Sequence, residues 1–119
     1  CRADAIAVLG AGGLSSLLGN GLGSLGAALP FGTAVSPSDA ALVDLDLDDD
    51  LDLVVASTGD STLRVMTNDG AGTFTEVTSI ATGVSPVAVI TGDLDGDGAL
   101  DLIAADQGAT TVTIVLSDA

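Results

Sequence analysis

The chain has no histidine, tryptophan or tyrosine, a single cysteine, and only two basic residues, Arg2 and Arg64. Without histidine or a second thiol there is no Cys/His zinc site, no thiol–imidazole pair and no internal disulfide. Two cations against 17 acidic side chains give a net charge of −15, which makes nucleic acid and anionic membrane surfaces poor partners and cations the natural ones. Phe31 and Phe74 are the only aromatics, so Val, Leu, Ile and Ala must build the core and nothing offers a stacking platform for sugars or bases. A sustained helical period is also lacking. The apolar stretch from Ala5 to Leu29 is broken by Gly10, Gly12, Gly13, Gly19, Gly21, Gly23 and Gly26, which excludes a transmembrane span or a signal core. An apolar fraction of 47% is nevertheless too high for a disordered acidic tail, and 119 residues is the length of one ordinary domain.

What is present in excess is aspartate, since every acid except Glu76 is Asp, and short-armed carboxylates suit loops and turns. They cluster in one frame. Asp93-Leu94-Asp95-Gly96-Asp97-Gly98-Ala99-Leu100-Asp101 places carboxylates at loop positions 1, 3, 5 and 9, and Asp44-Leu45-Asp46-Leu47-Asp48-Asp49-Asp50-Leu51-Asp52 repeats it 49 residues earlier, starting at 44 instead of 93. The same offset carries the Val-Ser-Pro of 35–37 onto that of 84–86, and Gly19-Asn20-Gly21-Leu22-Gly23-Ser24-Leu25 onto Asn68-Asp69-Gly70-Ala71-Gly72-Thr73-Phe74. Asp4 stands where Asp52 or Asp101 would close a loop. The chain therefore divides into a partial repeat over 1–43, a full repeat over 44–92 and a partial repeat over 93–119, about 2.5 copies in a single all-β region.

Within the full copy, Leu53–Ala56, Leu63–Met66, Phe74–Val77 and Val87–Ile90 are short runs of β-formers bounded by turn residues, which predicts four strands per copy. The continuous apolar run Leu102–Ala105 predicts a strand buried on both faces, whereas the alternation of Thr111–Val115 predicts a half-exposed one. Four antiparallel strands in this span is the size of a propeller blade. The fold class is thus tandem four-stranded antiparallel blades of β-propeller type. At this point the chain resembles the FG-GAP/VCBS-type repeat family, the calcium-loop blades of integrin α-subunit heads and many secreted microbial proteins. The resemblance rests on Gly92–Gly98 with Leu100–Ala105, and on the turn Asn68–Phe74. It implies an extracellular or cell-surface, calcium-stabilised propeller. The earlier copies depart from the pattern, with Leu47 for Gly96, Asp49 for Gly98 and Leu25 for Phe74.

Calcium takes six to eight oxygens, and a loop whose alternate residues point inward can wrap it. The expected ligands are Asp93, Asp95 and Asp97, the carbonyl of Ala99 and the closing Asp101, with Asp44, Asp46, Asp48, the carbonyl of Asp50 and Asp52 in the earlier loop, so about two Ca2+ sites. Gly98 would supply a positive φ at the sharp turn, where the earlier loop has Asp49. An EF-hand needs Glu at position 12 and flanking helices, and that position is Ala104 or Val55. Magnesium prefers fewer protein carboxylates. The bland readings are acidic turns without an ion, and an ion that only clips a hairpin. Ser57–Asp60 and Asp106–Gly108 read as hairpin turns, and both Ser-Pro pairs as strand-entry bends. No general acid or nucleophile is left over, so the chain is not expected to be an enzyme.

The copy count implies three strands, then four, then three, too few to close a propeller, whose edges must be completed elsewhere. The expected partners are other copies of itself or adjacent repeats, as in an extracellular filament subunit or an excerpt of a larger secreted or surface adhesion protein. Cys1 as first residue is compatible with a lipid anchor.

Overall fold

A computed structural model describes residues 5–9, 13–17, 22, 24, 25, 27, 29–31 and 34–118. Cys1, Asp4 and most of the 19–25 turn lie outside the described residues. The strands are β1 (Ala5–Leu9), β2 (Gly13–Leu17), β3 (Leu29–Phe31), β4 (Pro37–Val43), β5 (Asp52–Ser57), β6 (Thr62–Asn68), β7 (Phe74–Ala81), β8 (Pro86–Gly92), β9 (Asp101–Asp106) and β10 (Thr111–Val115). They form three antiparallel sheets in the orders β1-β2-β3, β4-β5-β6-β7 and β10-β9-β8. Among the described residues there is no helix, and hence none long and apolar enough to cross a membrane.

The acidic loops at 44–51 and 93–100 join β4 to β5 and β8 to β9. A tight loop makes its flanking strands neighbours, so β8 pairs with β9, and the four-stranded sheet takes β4 as its first strand. The four runs read from the sequence of the middle copy thus fall into two sheets, because the sequence copy begins at the loop and the sheet begins one strand earlier.

The repeated Val-Ser-Pro is a strand-entry bend in both copies. Ser36 and Ser85 have φ of 51° and 55°, and the carbonyls of Val35 and Val84 each accept an N–H, from Gly59 and Gly108, at 2.9 Å. Those two glycines are required by close approach: a Cβ would fall 2.6 Å from Val35 Cγ1 in one copy and 2.8 Å from Val84 Cγ1 in the other.

The sheets pack face to face. β5 is buried along its whole length because it is covered on both sides: Leu53, Val55 and Met66 pack with Leu14 of β2, while Val54, Ala56, Leu63 and Val65 pack against Val89, Leu102 and Ala104. The two-sided burial expected of Leu102–Ala105 is not found. Leu102 and Ala104 are buried but Ala105 is exposed, since β9 has a sheet over one face only. β10 alternates between exposed and half-buried residues, as its sequence suggests.

β8 is the edge strand of its sheet, which leaves backbone groups without ladder partners. The preceding sheet supplies them. Asp39 Oδ2 accepts the Val89 N–H at 2.9 Å, and the hydroxyls of Ser38 and Thr58 both donate to the Pro86 carbonyl at 2.8 Å. These three side chains fasten the last sheet onto the middle one.

Candidate metal centre

Both acidic loops turn at the same two positions. Positions 4 and 6 lie at positive φ in each, Leu47 at 62° and Asp49 at 72°, Gly96 at 82° and Gly98 at 94°. Gly98 and Asp49 take the conformation expected of them, whereas Leu47 adopts one that costs a side chain bearing Cβ about 1–2 kcal/mol. The carboxylate at position 1 holds the curve in place. Asp44 accepts the N–H groups of Asp48 and Asp49 at 3.2 and 3.1 Å, and Asp93 those of Gly96 and Gly98 at 2.7 and 3.1 Å. The side chains of Asp48, Asp95 and Asp97 each accept the N–H two residues on.

The closing carboxylates, Asp52 and Asp101, are fully buried at the starts of β5 and β9. One oxygen of each accepts the N–H of loop position 2, Leu45 at 2.9 Å or Leu94 at 2.7 Å. The other accepts an N–H at the end of β6 or just past β10, from Asn68 or Ser117, both at 2.9 Å. Asp52 and Asp101 are therefore struts that tie the loop to the neighbouring turn, a role that spacing alone does not disclose.

The two loops gather different carboxylates. In the first, oxygens of Asp44, Asp46 and Asp48 lie within 4.8 Å of one another; in the second, those of Asp93, Asp95 and Asp101 do. Asp52 and Asp97 fall outside these triplets. The Asp50 side chain turns to the 68–73 turn, where a Cβ on Gly70 would lie 2.5 Å from Asp50 Oδ2. Asp49 points into solvent.

Desolvation in the loop, with the charges of Asp48, Asp52 and Asp44, pushes the Asp46 carboxyl above its ordinary value. For Asp95 the Asp97 N–H pulls downward, but desolvation and the charges of Asp97, Asp101 and Asp93 outweigh it, and the net shift is again upward. In both loops the neighbouring carboxylates thus disfavour the charged form of the position-3 aspartate, Asp46 or Asp95. The donors are all oxygen, which suits a hard cation and excludes zinc or copper preferences.

Two further polar sites are not evident from the sequence. Asp106, expected as a turn residue, is buried: Oδ2 accepts the hydroxyls of Thr113 at 2.6 Å and Thr111 at 3.3 Å, while Oδ1 has no hydrogen-bond partner among the described residues. Its counterpart in the middle copy, Ser57, instead bonds the N–H and carbonyl of Val35, both at 2.9 Å, so the repeat concealed it. Arg64 pairs with Asp60 and, at 3.0 Å, with Glu76 on β7.

An all-β chain of face-packed antiparallel sheets, with an acidic loop between the first two strands of a sheet, belongs to the class of β-repeat proteins. A family model described as an FG-GAP-like repeat matches residues 44–104, more than half of the chain, and the chain belongs to that family. Comparison with curated proteins finds no match.

Proposed function

We propose that this chain is a non-enzymatic, extracellular, calcium-stabilised β-repeat protein of structural or adhesive role, with blades of propeller type, that assembles with other copies through unpaired strand edges. The observation that carries the calcium reading is the pair of in-register acidic loops, each gathering three carboxylates within 4.8 Å. The chain's own residues do the work around the ion. Asp44 and Asp93 hold the loop curve, Asp46, Asp48, Asp95 and Asp101 supply charge, with Asp97 and the carbonyls of Ala99 and Asp50 completing the oxygen shell, and Asp52 and Asp101 pass the constraint to the sheet. A bound calcium would supply positive charge that offsets the repulsion between these carboxylates.

Assembly is supported by the edges. β7 is an exposed outer strand of the middle sheet. A second reading, an excerpt of a larger secreted or surface propeller, is favoured by the family match, since such repeats occur in tandem.

Thermal unfolding with calcium and with EDTA tests the metal. Calcium binds the folded loop and not the unfolded chain, so chelation lowers Tm; an unchanged curve removes the calcium role. Electron microscopy of the calcium-loaded protein tests assembly, with fibres supporting edge pairing and discrete particles of one to three chains supporting the excerpt.

A further inference from the structure

The last sheet buries a carboxylate where the middle sheet buries a hydroxyl. Asp106 ends β9, at the opposite end of that strand from the acidic loop, and is 2% exposed. Thr113 and Thr111 donate their hydroxyls to Oδ2 at 2.6 and 3.3 Å, while Oδ1 has no hydrogen-bond partner among the described residues. By strand alternation Asp106 shares a face with Leu102 and Ala104, which pack against Val54, Ala56 and Val65 of the middle sheet. Oδ1 is therefore closed in between two sheets, and only a small species fits beside it. The β7–β8 connection shuts the site. The Gly83 N–H donates to Thr113 Oγ1 at 3.1 Å, and a Cβ on Gly83 would fall 2.6 Å from Thr111 Oγ1 and 2.7 Å from Asp106 Oδ2. Glycine is required here by the oxygens gathered against it.

The middle copy settles the same position differently. Gly83, Asp106, Ala109, Thr111 and Thr113 have Ala34, Ser57, Asp60, Thr62 and Arg64 as counterparts 49 residues earlier. There the buried strand residue is neutral, the carboxylate stands in the turn, and the Arg64 guanidinium offsets its charge. In the last copy the carboxylate has moved inside and a threonine stands in place of the guanidinium. Arg64, the one described basic residue, is in register with Val55 on the face of the middle sheet that packs with Leu14, so it does not face Asp106. We propose that Asp106, Thr111 and Thr113 form a site for a monovalent cation, Na+ or K+, held between the middle and last sheets. A buried carboxylate needs a compensating charge as well as hydrogen bonds. A water satisfies Oδ1 and leaves the charge, whereas one alkali ion answers both. The donors are all oxygen, which suits a hard ion, and a lone carboxylate matches a single positive charge, while calcium gathers several carboxylates. This site is separate from the acidic loops and does not depend on their occupancy.

Calorimetry in saturating calcium, with tetramethylammonium chloride exchanged for NaCl or KCl at equal ionic strength, tests it. Tetramethylammonium is too large for an enclosed site, and equal ionic strength holds screening constant. The alkali salts at about 100 mM are expected to raise Tm by about 5 °C, as a ligand at about ten times its Kd lowers the unfolding constant about tenfold, ~1.4 kcal/mol. The salt giving the larger rise identifies the ion. Asp106→Ser, which installs the residue the middle copy already uses, and Asp106→Asn both abolish this response. Asp118→Asn removes the same charge from an exposed residue and keeps it. The 23Na line of the folded wild type, broadened by binding and narrowed by Asp106→Ser, reads the same site without unfolding. A wild-type Tm equal in all three salts overturns the proposal and leaves Oδ1 to an ordered water. A response that both Asp106 variants retain overturns it as well, and assigns the alkali effect to the acidic loops.

Discussion

Replacing the buried carboxylate Asp101 by its amide separates its work as a strut from its work beside a cation. Asp101 accepts the Leu94 N–H at 2.7 Å and the Ser117 N–H at 2.9 Å on different oxygens, and it has no exposure to solvent. In Asp101→Asn one oxygen becomes an NH2 group, and rotating the amide rescues one of the two bonds at the expense of the other. The loss is one hydrogen bond to a charged acceptor, about 1.5–3 kcal/mol, and one buried N–H facing a donor, about 1–3 kcal/mol. Together they make about 2.5–6 kcal/mol, a large share of the ~5–15 kcal/mol that holds an ordinary domain. Urea unfolding in EDTA reads this term with the metal removed, as a lowered midpoint at constant slope. Asp95→Asn in the same loop is the counter-experiment. Its carboxyl is raised above the ordinary value, so the metal-free fold prefers it neutral, and that preference is relieved below the unfolded pKa and felt as pH rises through the folded one. At neutral pH Asp95→Asn therefore stabilises the protein in EDTA and destabilises it in calcium, whereas Asp101→Asn destabilises it in both. An Asp101→Asn protein within about 1 kcal/mol of wild type in EDTA would refute the strut, because a single lost neutral bond already costs that much.

Gly98→Ala and Gly92→Ala form a matched pair, since a Cβ meets nothing within 4 Å at either site and only Gly98 has a positive φ, of 94°. Differential scanning calorimetry should show Gly92→Ala raised by about 0.4–1 kcal/mol through the unfolded chain, and Gly98→Ala lowered by a comparable or larger amount. Asp39→Ala leaves the Val89 N–H without its acceptor and should cost about 1–3 kcal/mol, with hydrogen exchange at Val89 accelerating more than exchange within β5 and β6. At Asp60 desolvation is outweighed by hydrogen bonds from Arg64, Ser57 and Thr62, so its pKa falls below 3.8. Its contribution is present above the unfolded value and lost as pH drops through the lower folded one; after solvent screening it is under about 1 kcal/mol, and Asp60→Asn should flatten the acid limb of the unfolding curve.

The parts legible in the sequence are those fixed by local chemistry and then repeated. A loop of alternating aspartates, a Val-Ser-Pro bend and a glycine turn before Phe74 each depend on residues within a few positions, and the 49-residue offset showed them twice. Sheet membership was less legible. The loop that looks like a boundary in the sequence is a hairpin within a sheet, so β4 shares a sheet with β5 and β8 shares one with β9. Burial of β9 could not be read either, because Leu102–Ala105 has the same apolar character as Leu53–Ala56 and differs only in how many sheets lie against it. Asp106 escaped notice because its partners, Thr111 and Thr113, are on the next strand and its repeat counterpart is a serine that bonds elsewhere.

The position of the acidic loop favours a structural ion over a catalytic or transported one. In the middle sheet Asp52 joins the loop to Asn68, and Asn68 in turn donates through Nδ2 to the Leu51 carbonyl at 3.1 Å and accepts the Gly72 N–H at 3.1 Å. Asp69 accepts the N–H groups of Ala71 and Thr73, and the Asp50 carboxylate rests over Gly70. The 44–51 loop and the 68–73 turn are consequently one polar assembly at the same end of the sheet, containing the β4–β5 and β6–β7 connections and so touching all four strands. A cation held by Asp44, Asp46 and Asp48 would remove repulsion from that assembly and would fix β4 against β5 directly and β6 against β7 through Asp52 and Asn68. Stabilisation by such an ion would be felt by the whole sheet rather than by one hairpin, and Asp52, which lies outside the carboxylate triplet, is the residue whose loss should disconnect metal binding from global stability.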